Sequence, residues 1–181
     1  MEIDILPKMA RAQIHMVFIV VPRFNIATLI TMIETLRIAN YLAPTSTFSW
    51  EVASFDGSKI TASNGMTATI KTANDNLQPA EFAFILGSWG TEHYHNQRLT
   101  AWLRKRARAG ERICGVELGS YIVARAGLLD GKLATIHWSW LNGFKENFDR
   151  VEVEESLFTL DSKVMTCSGG LAGVDLMLRL I

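Results

Sequence analysis

Three short runs constrain this chain more than anything else in it: IHMVFIVV at 14–21, EFAFILG at 81–87 and RICGVE at 112–117. Each is apolar almost throughout, rich in β-branched or aromatic residues, and followed by proline, glycine or a turn. A strand with one wet face alternates apolar with polar residues, whereas a strand buried on both faces is apolar nearly everywhere. These runs are too short for core helices, so their length selects strands. Helical patterns lie between them. From Asn25, a residue type that caps helices, Ile26, Leu29, Ile30, Ile33, Leu36 and Leu42 recur at helical spacing through Ala43, before Pro44. Residues 96–109 place Leu99, Trp102 and Leu103 inward, and a helix is expected from Ser120 to Leu129, stopped by Asp130-Gly131. Another is expected from Ser139 to Phe148, and GVDLMLRLI at 173–181 starts a last one. Weaker strands are FSWEVASFDG (48–57), the hairpin ITASNGMTATI (60–70) with Asn64-Gly65 at its turn, VEVEES, LFTLD and KVMTCSG. Buried strands alternating with helices predict an α/β fold, a three-layer sandwich with a mainly parallel sheet covered by helices on both faces.

At 181 residues the chain has the length of one domain and can bury roughly 70% of the surface its unfolded form exposes. A polar lead-in over 1–13 is expected to precede a folded unit over 14–181. The 18 basic and 18 acidic side chains cancel, which argues against nucleic acid or an anionic membrane as the partner of this unit. Arg104, Lys105, Arg106 and Arg108 therefore read as a solvated outer face before they read as a phosphate-binding patch. Cys114 and Cys167 both sit in apolar strand-like runs and read as reduced core thiols of a cytosolic protein. The first residues lack a signal peptide's apolar segment, and no run reaches the ~18 apolar residues of a membrane span.

In open parallel sheets, ligands bind beyond the carboxyl ends of the strands. Three such ends are Pro22–Asn25, Gly87–Gly90 and Glu117–Ser120, expected to meet in one cleft. GVELGSYIVARAGLL (115–129) reads as strand, sharp turn and helix, the way several α/β enzymes present a nucleophile. The residue at the tip is Glu117, acceptor-only as a carboxylate and a weak nucleophile. Gly87-Ser88-Trp89-Gly90 is either an oxyanion cradle or simply the turn that any buried strand needs, the pocket-wall reading being preferred. Trp89, Trp138 and Trp140 fall in or near these loops; they either line the cleft or pack the helix that follows, while Trp50 and Trp102 read as core. His93-X-His95 raises a metal question, since alternate strand residues point the same way, but nothing completes a ligand set, and no metal or other cofactor is expected.

LRIANYLAP, SWEVASFDGSKITASNGM, AWLRKRARAGERICGVELGSYIVARAGLLDGKLATIHWSWLNGFKENF and SGGLAGVDLMLRLI together resemble the N-terminal domain of GlxA-type, AraC-family transcriptional regulators. That domain is similar to the ThiJ/PfpI group of the class I glutamine amidotransferase-like superfamily, which implies a flavodoxin-like sheet. AGLLDGKLATIHW is the most specific element. The resemblance implies that Glu117 stands where the superfamily carries its cysteine, that Thr28 takes the place of a supporting acid, and that His137 is retained. It thus implies a non-catalytic site kept as a binding pocket, with Glu117, Leu118, His137, Trp138, Gly87, Ser88, Trp89, Phe24 and Asn25 around the ligand. RIAN, SWEVASFDG and TASNGM look closest to regulators of carnitine, betaine or related amines, so a small-molecule effector of that class is expected. Homodimers are expected, and DNA binding is expected only through a C-terminal helix-turn-helix region, absent from a chain that stops in mid-helix. The alternative is a small ThiJ/PfpI-type hydrolase or lyase in which Glu117 and His137 act as an acid/base pair.

Overall fold

The computed structural model describes residues 13–73, 76–161 and 163–181, so the lead-in expected over 1–13 lies, but for Gln13, outside the described residues. In chain order the elements are β1 (Ile14–Val20), α1 (Ile26–Leu42), β2 (Phe48–Ser54), β3 (Lys59–Thr61), β4 (Thr67–Thr69), β5 (Lys71–Thr72), β6 (Phe82–Gly87), α2 (Gln97–Arg108), β7 (Arg112–Glu117) and α3 (Gly119–Arg125). They continue with β8 (Leu133–Ala134), α4 (Leu141–Asn147), β9 (Glu152–Val153), β10 (Phe158–Leu160), β11 (Val164–Cys167) and α5 (Ala172–Leu180). Seven strands form one sheet in the order β10-β11-β7-β6-β1-β2-β5, parallel except for the edge strand β10. This is the flavodoxin-like fold.

The fully apolar strands occupy the middle of the sheet because each must bury both faces. Along β1, Met16, Phe18 and Val20 point into one core with Phe82, Phe84, Leu86, Cys114 and Val116. Val17 and Ile19 point into the other with Ala83, Ile85 and Ile113. Leu29, Met32 and Leu36 of α1 and Leu176 and Met177 of α5 close the first core. Leu99, Trp102 and Leu103 of α2 and Tyr121, Ile122 and Val123 of α3 close the second. The stack of Phe18 on Phe84, centroids 4.9 Å apart, joins neighbouring strands within the first core.

Asn25 caps α1, its side-chain oxygen accepting from the N–H groups of Ala27 and Thr28 at 3.1 and 3.3 Å. Asn64-Gly65 sits in the turn between the antiparallel β3 and β4. Several expectations need correction. The helix after Glu117 does not reach Leu129: it stops at Arg125, where Gly127 takes a φ of +72° and turns the chain before Asp130-Gly131 is reached. Residues 139–148 are not one helix, because a 3₁₀ turn over Trp138–Trp140 leads into the shorter α4. The basic face of α2 is not wholly solvated. Arg106 is buried, its guanidinium 2.5 Å from Glu111 and bonded to the carbonyls of Leu77 and Gln78, lying over the Trp102 ring.

Candidate functional site

β7 ends at Glu117, whose backbone is left-handed with φ +52°. Non-glycine residues reach this region at a cost of order 1–3 kcal/mol, and it persists where surrounding packing fixes it. Here glycine fixes it from both sides. A Cβ on Gly115 would fall 2.7 Å from the Ser120 backbone, and one on Gly119 would fall 1.9 Å from the Ile85 carbonyl oxygen. Their absence lets α3 start immediately against β6 and β7, so the Glu117 side chain is thrust out at the tip.

Three elements converge on that side chain. Its Oε1 accepts from Asn25 Nδ2 at 2.8 Å, from the Thr28 hydroxyl at 3.2 Å and from the Gly170 N–H at 3.3 Å. The Gly170 N–H is shared with Thr28 Oγ1 at 3.0 Å. Gly169 makes the approach possible, because a Cβ there would lie 1.7 Å from Glu117 Cγ. Oε2 has no hydrogen-bond partner among the described residues. Glu117 is 4% exposed, and it lines a cleft of about 610 Å³ with Asn25, Ile136, His137, Trp138, Glu155, Ser156, Leu157 and the Ser168–Gly170 turn.

The segment carrying His137 is fixed from beneath. Thr135 N–H donates to Thr166 Oγ1 at 2.6 Å, the Thr135 hydroxyl donates to the Ser156 carbonyl at 2.9 Å, and the Ser120 hydroxyl donates to the Thr135 carbonyl at 3.1 Å. His137 Nδ1 is 2.8 Å from the Ser139 hydroxyl and also accepts from the Ser139 N–H. No hydrogen bond joins His137 to Glu117. Trp138 stands on the rim, 71% exposed.

The structure thus brings Glu117, Asn25, His137 and Trp138 onto one cleft, with Thr28 behind Glu117. It does not bring the other expected site residues there. Phe24 and Leu118 are core residues, and Gly87 is packed against Thr91, where a Cβ would come 2.6 Å from the side-chain oxygen. Ser88 is buried, Trp89 points to solvent, and neither lines this cleft. Trp140 packs edge-on against Tyr121, joining the core side of the alternative weighed for it. The residues that sequence reasoning missed are Ile136, which follows β8, Glu155 to Leu157, between β9 and β10, and Ser168 to Gly170, at a fourth strand end. β11 pairs in parallel with β7, so the SGG turn after Cys167 opens beside Glu117. That Ser-Gly-Gly directly after an apolar run was the available signal.

Cys114 and Cys167 are free and buried beneath the cleft, and burial pushes the Cys167 thiol up to about 12. His93 ends a 3₁₀ turn and His95 lies in the loop after it, so the expected strand spacing does not hold. Among the described residues, no group of three or more His, Cys, Asp or Glu is arranged to hold a metal ion. A second cleft, of about 400 Å³, includes Tyr94, His95, Arg104 and Arg125. Its arginines are committed to backbone carbonyls, Arg125 to those of Thr91, Glu92 and Tyr94 and Arg104 to that of Ala126.

The DJ-1/PfpI family model matches residues 17–181. The chain belongs to the DJ-1/PfpI family. The HTH-type transcriptional regulator CdhR of Pseudomonas aeruginosa is 35% identical over 164 residues, covering 91% of this chain and 48% of the regulator. The HTH-type transcriptional regulator GlxA of Rhizobium meliloti is 29% identical over 165 residues, covering 91% and 51%. This DJ-1/PfpI chain therefore spans about half the length of the curated relatives it matches. A crystal structure of an AraC family transcriptional regulator from Pseudomonas putida superposes with a TM-score of 0.84 at 23% identity, covering 92% of this chain and 90% of that one. That likeness carries the fold. Among the described residues, no helix is long and apolar enough to cross a membrane.

Proposed function

We propose that this chain is the effector-sensing half of a cytoplasmic, AraC-class transcriptional regulator, that it works in pairs, and that it catalyses no reaction. In this reading DNA is bound by the other half of such proteins, and the effector is a small cationic or zwitterionic amine of the betaine or carnitine kind. The kinship with HTH-type regulators supports the regulatory part. The lining of the cleft carries the ligand part: two carboxylates, Glu117 and Glu155, one imidazole, one exposed indole, and neither lysine nor arginine. A quaternary ammonium offers no N–H, so it is held by counter-charge and by aromatic faces, each face contributing roughly 0.5–2 kcal/mol. Glu117 Oε2 supplies the counter-charge and Trp138 the face.

Against a hydrolase or lyase stands the chemistry of the same atoms. A carboxylate cannot become a thiolate, Glu117 Oε1 already accepts three hydrogen bonds, and His137 Nδ1 is engaged by Ser139. The test is a thermal-shift screen with betaine, carnitine and choline. A ligand at a hundred times its dissociation constant stabilises the fold by about 2.7 kcal/mol, a rise of several degrees for a domain of this size. Glu117→Gln keeps the shape and the Oε1 acceptor, so it should abolish most of the shift and leave the unliganded midpoint nearly unchanged. Failure of every amine to move the curve refutes the amine reading; hydrolase or lyase turnover that disappears in Glu117→Gln refutes the non-catalytic one.

A further inference from the structure

We infer that the Nε2–H of His137 reads the acceptor end of the effector, so that the cleft selects a zwitterion carrying a carboxylate over a bare quaternary ammonium. This rests on the reading above, in which Glu117 anchors an amine, and narrows it. The state of the ring follows from its neighbours. A backbone N–H can only donate, so the Ser139 N–H, 3.4 Å from His137 Nδ1, makes that nitrogen an acceptor. The Ser139 hydroxyl lies 2.8 Å from the same nitrogen. With Nδ1 accepting, the hydrogen-bond network assigns the ring proton to Nε2. That Nε2 has no hydrogen-bond partner among the described residues, and His137 lines the cleft.

The rest of the lining is short of donors. The Asn25 amide and the Gly170 N–H are turned to Glu117, and the Ser168 and Ser156 hydroxyls donate to the carbonyls of Leu157 and Phe158 at 3.1 and 3.5 Å. Neither lysine nor arginine lines the cleft. The Trp138 indole has an N–H, but it stands on the exposed rim, where water competes for it. A carboxylate entering the cleft therefore has His137 as its donor. Of the two acidic side chains, Glu155 is exposed and hydrated, and the ligand's own ammonium offsets the buried Glu117. The His137 and Trp138 rings are neighbours, with centroids 5.5 Å apart and planes tilted by 33°. Consecutive residues thus supply the donor and the aromatic face, which address the two ends of one compact molecule. Thr166, Ser156 and Ser120 hold the Thr135 segment from beneath, so the donor is in place before a ligand arrives.

Isothermal titration calorimetry on the 181-residue chain reads the outcome with two probes, tetramethylammonium and glycine betaine, and circular dichroism confirms that each variant is folded. Both probes present a methylated ammonium, and only betaine adds a carboxylate. The parent should bind betaine about tenfold or more tighter than tetramethylammonium. His137→Phe keeps a flat ring but has no N–H, and should bring the ratio to about one. His137→Gln restores an N–H near the place of Nε2 and should keep most of the preference. The inference is overturned by a parent that binds the two probes equally, by a preference that survives in His137→Phe, or by a preference lost alike in the Phe and Gln variants, which would assign it to ring packing. Glu117→Gln should weaken both probes. Tetramethylammonium that binds the parent and is lost in Glu117→Gln upholds the amine anchor whatever the ratio, so failure at His137 and failure at Glu117 are told apart; binding of neither probe overturns both.

Discussion

At Glu117 a long acidic side chain sits on a left-handed backbone, and the residues around it are those that such a conformation needs. Gly169 is the sharpest case. It combines a φ of +88° with a position where a Cβ would overlap Glu117 Cγ. Gly169→Ala should therefore destabilise the fold by about 2–4 kcal/mol through strain and overpacking, lowering the melting temperature by roughly 5–15 °C. A melting curve unchanged within a degree or two would mean that the SGG turn moves freely away from Glu117. The two thiols make a second test at this scale. Burial raises both, Cys167 to about 12 and Cys114 well above its ordinary value, so neither supplies thiolate near neutral pH. A thiol reagent should label neither cysteine in the folded protein at neutral pH and both after unfolding in guanidinium; rapid labelling of Cys167 in the native state would show that the cleft floor opens.

Elements here take their limits from neighbours as much as from their own residues. α3 ends at Arg125, with Gly127 at a φ of +72° turning the chain beyond it, and the Arg125 guanidinium ties that end to the carbonyls of Thr91 and Tyr94. α2 is anchored by Arg106, whose buried pair with Glu111 spans the helix and the start of β7. At the sheet edge, Glu51 of β2 binds Lys71 of β5 at 2.7 Å and accepts from the Gln78 N–H at 3.0 Å. Burial would raise its pKa, but the hydrogen bonds from Lys71 and Gln78 outweigh burial and hold the carboxyl below its ordinary range. A carboxylate lowered in the folded state stabilises at neutral pH, and that contribution disappears as pH falls from the unfolded value of about 4.3 through the folded one. Glu51→Gln should cost about 1 kcal/mol at pH 7, discounted for the exposed lysine. The gap between variant and parent should close between roughly pH 5 and pH 3. Urea titrations across that range check it, and a gap independent of pH would assign the loss to packing.

Over the whole molecule, the two cores are not separable. Both are built on the same central strands, with alternate residues of β1, β6 and β7 serving opposite faces. Removing either helical layer exposes those strands, so the layers should unfold together. Tryptophans report on each side: Trp102 in one core and Trp50 against the other. Single-tryptophan variants retaining one or the other should show coincident urea transitions, also coincident with far-UV circular dichroism. Two separated midpoints would show that one layer detaches first.

Local pattern determined the architecture. Largely apolar runs at 14–21, 81–87 and 112–117 fit the middle of a parallel sheet, and Asn25, Asn64-Gly65 and the 3.6-residue periodicities marked the first helix, the hairpin and α2. The elbow at Glu117 was legible because a turn between a buried strand and a helix has few forms. The composition of the cleft was not. It depends on which strand ends become neighbours, and β11 lies beside β7 although α3, α4 and three short strands come between them in the chain. No residue near Cys167 announces Glu117 as its neighbour, because that pairing is selected by how the helices cover the whole sheet. Only the tertiary structure could bring the SGG turn to Glu117, and leave Phe24, Leu118 and Trp89 out of the cleft.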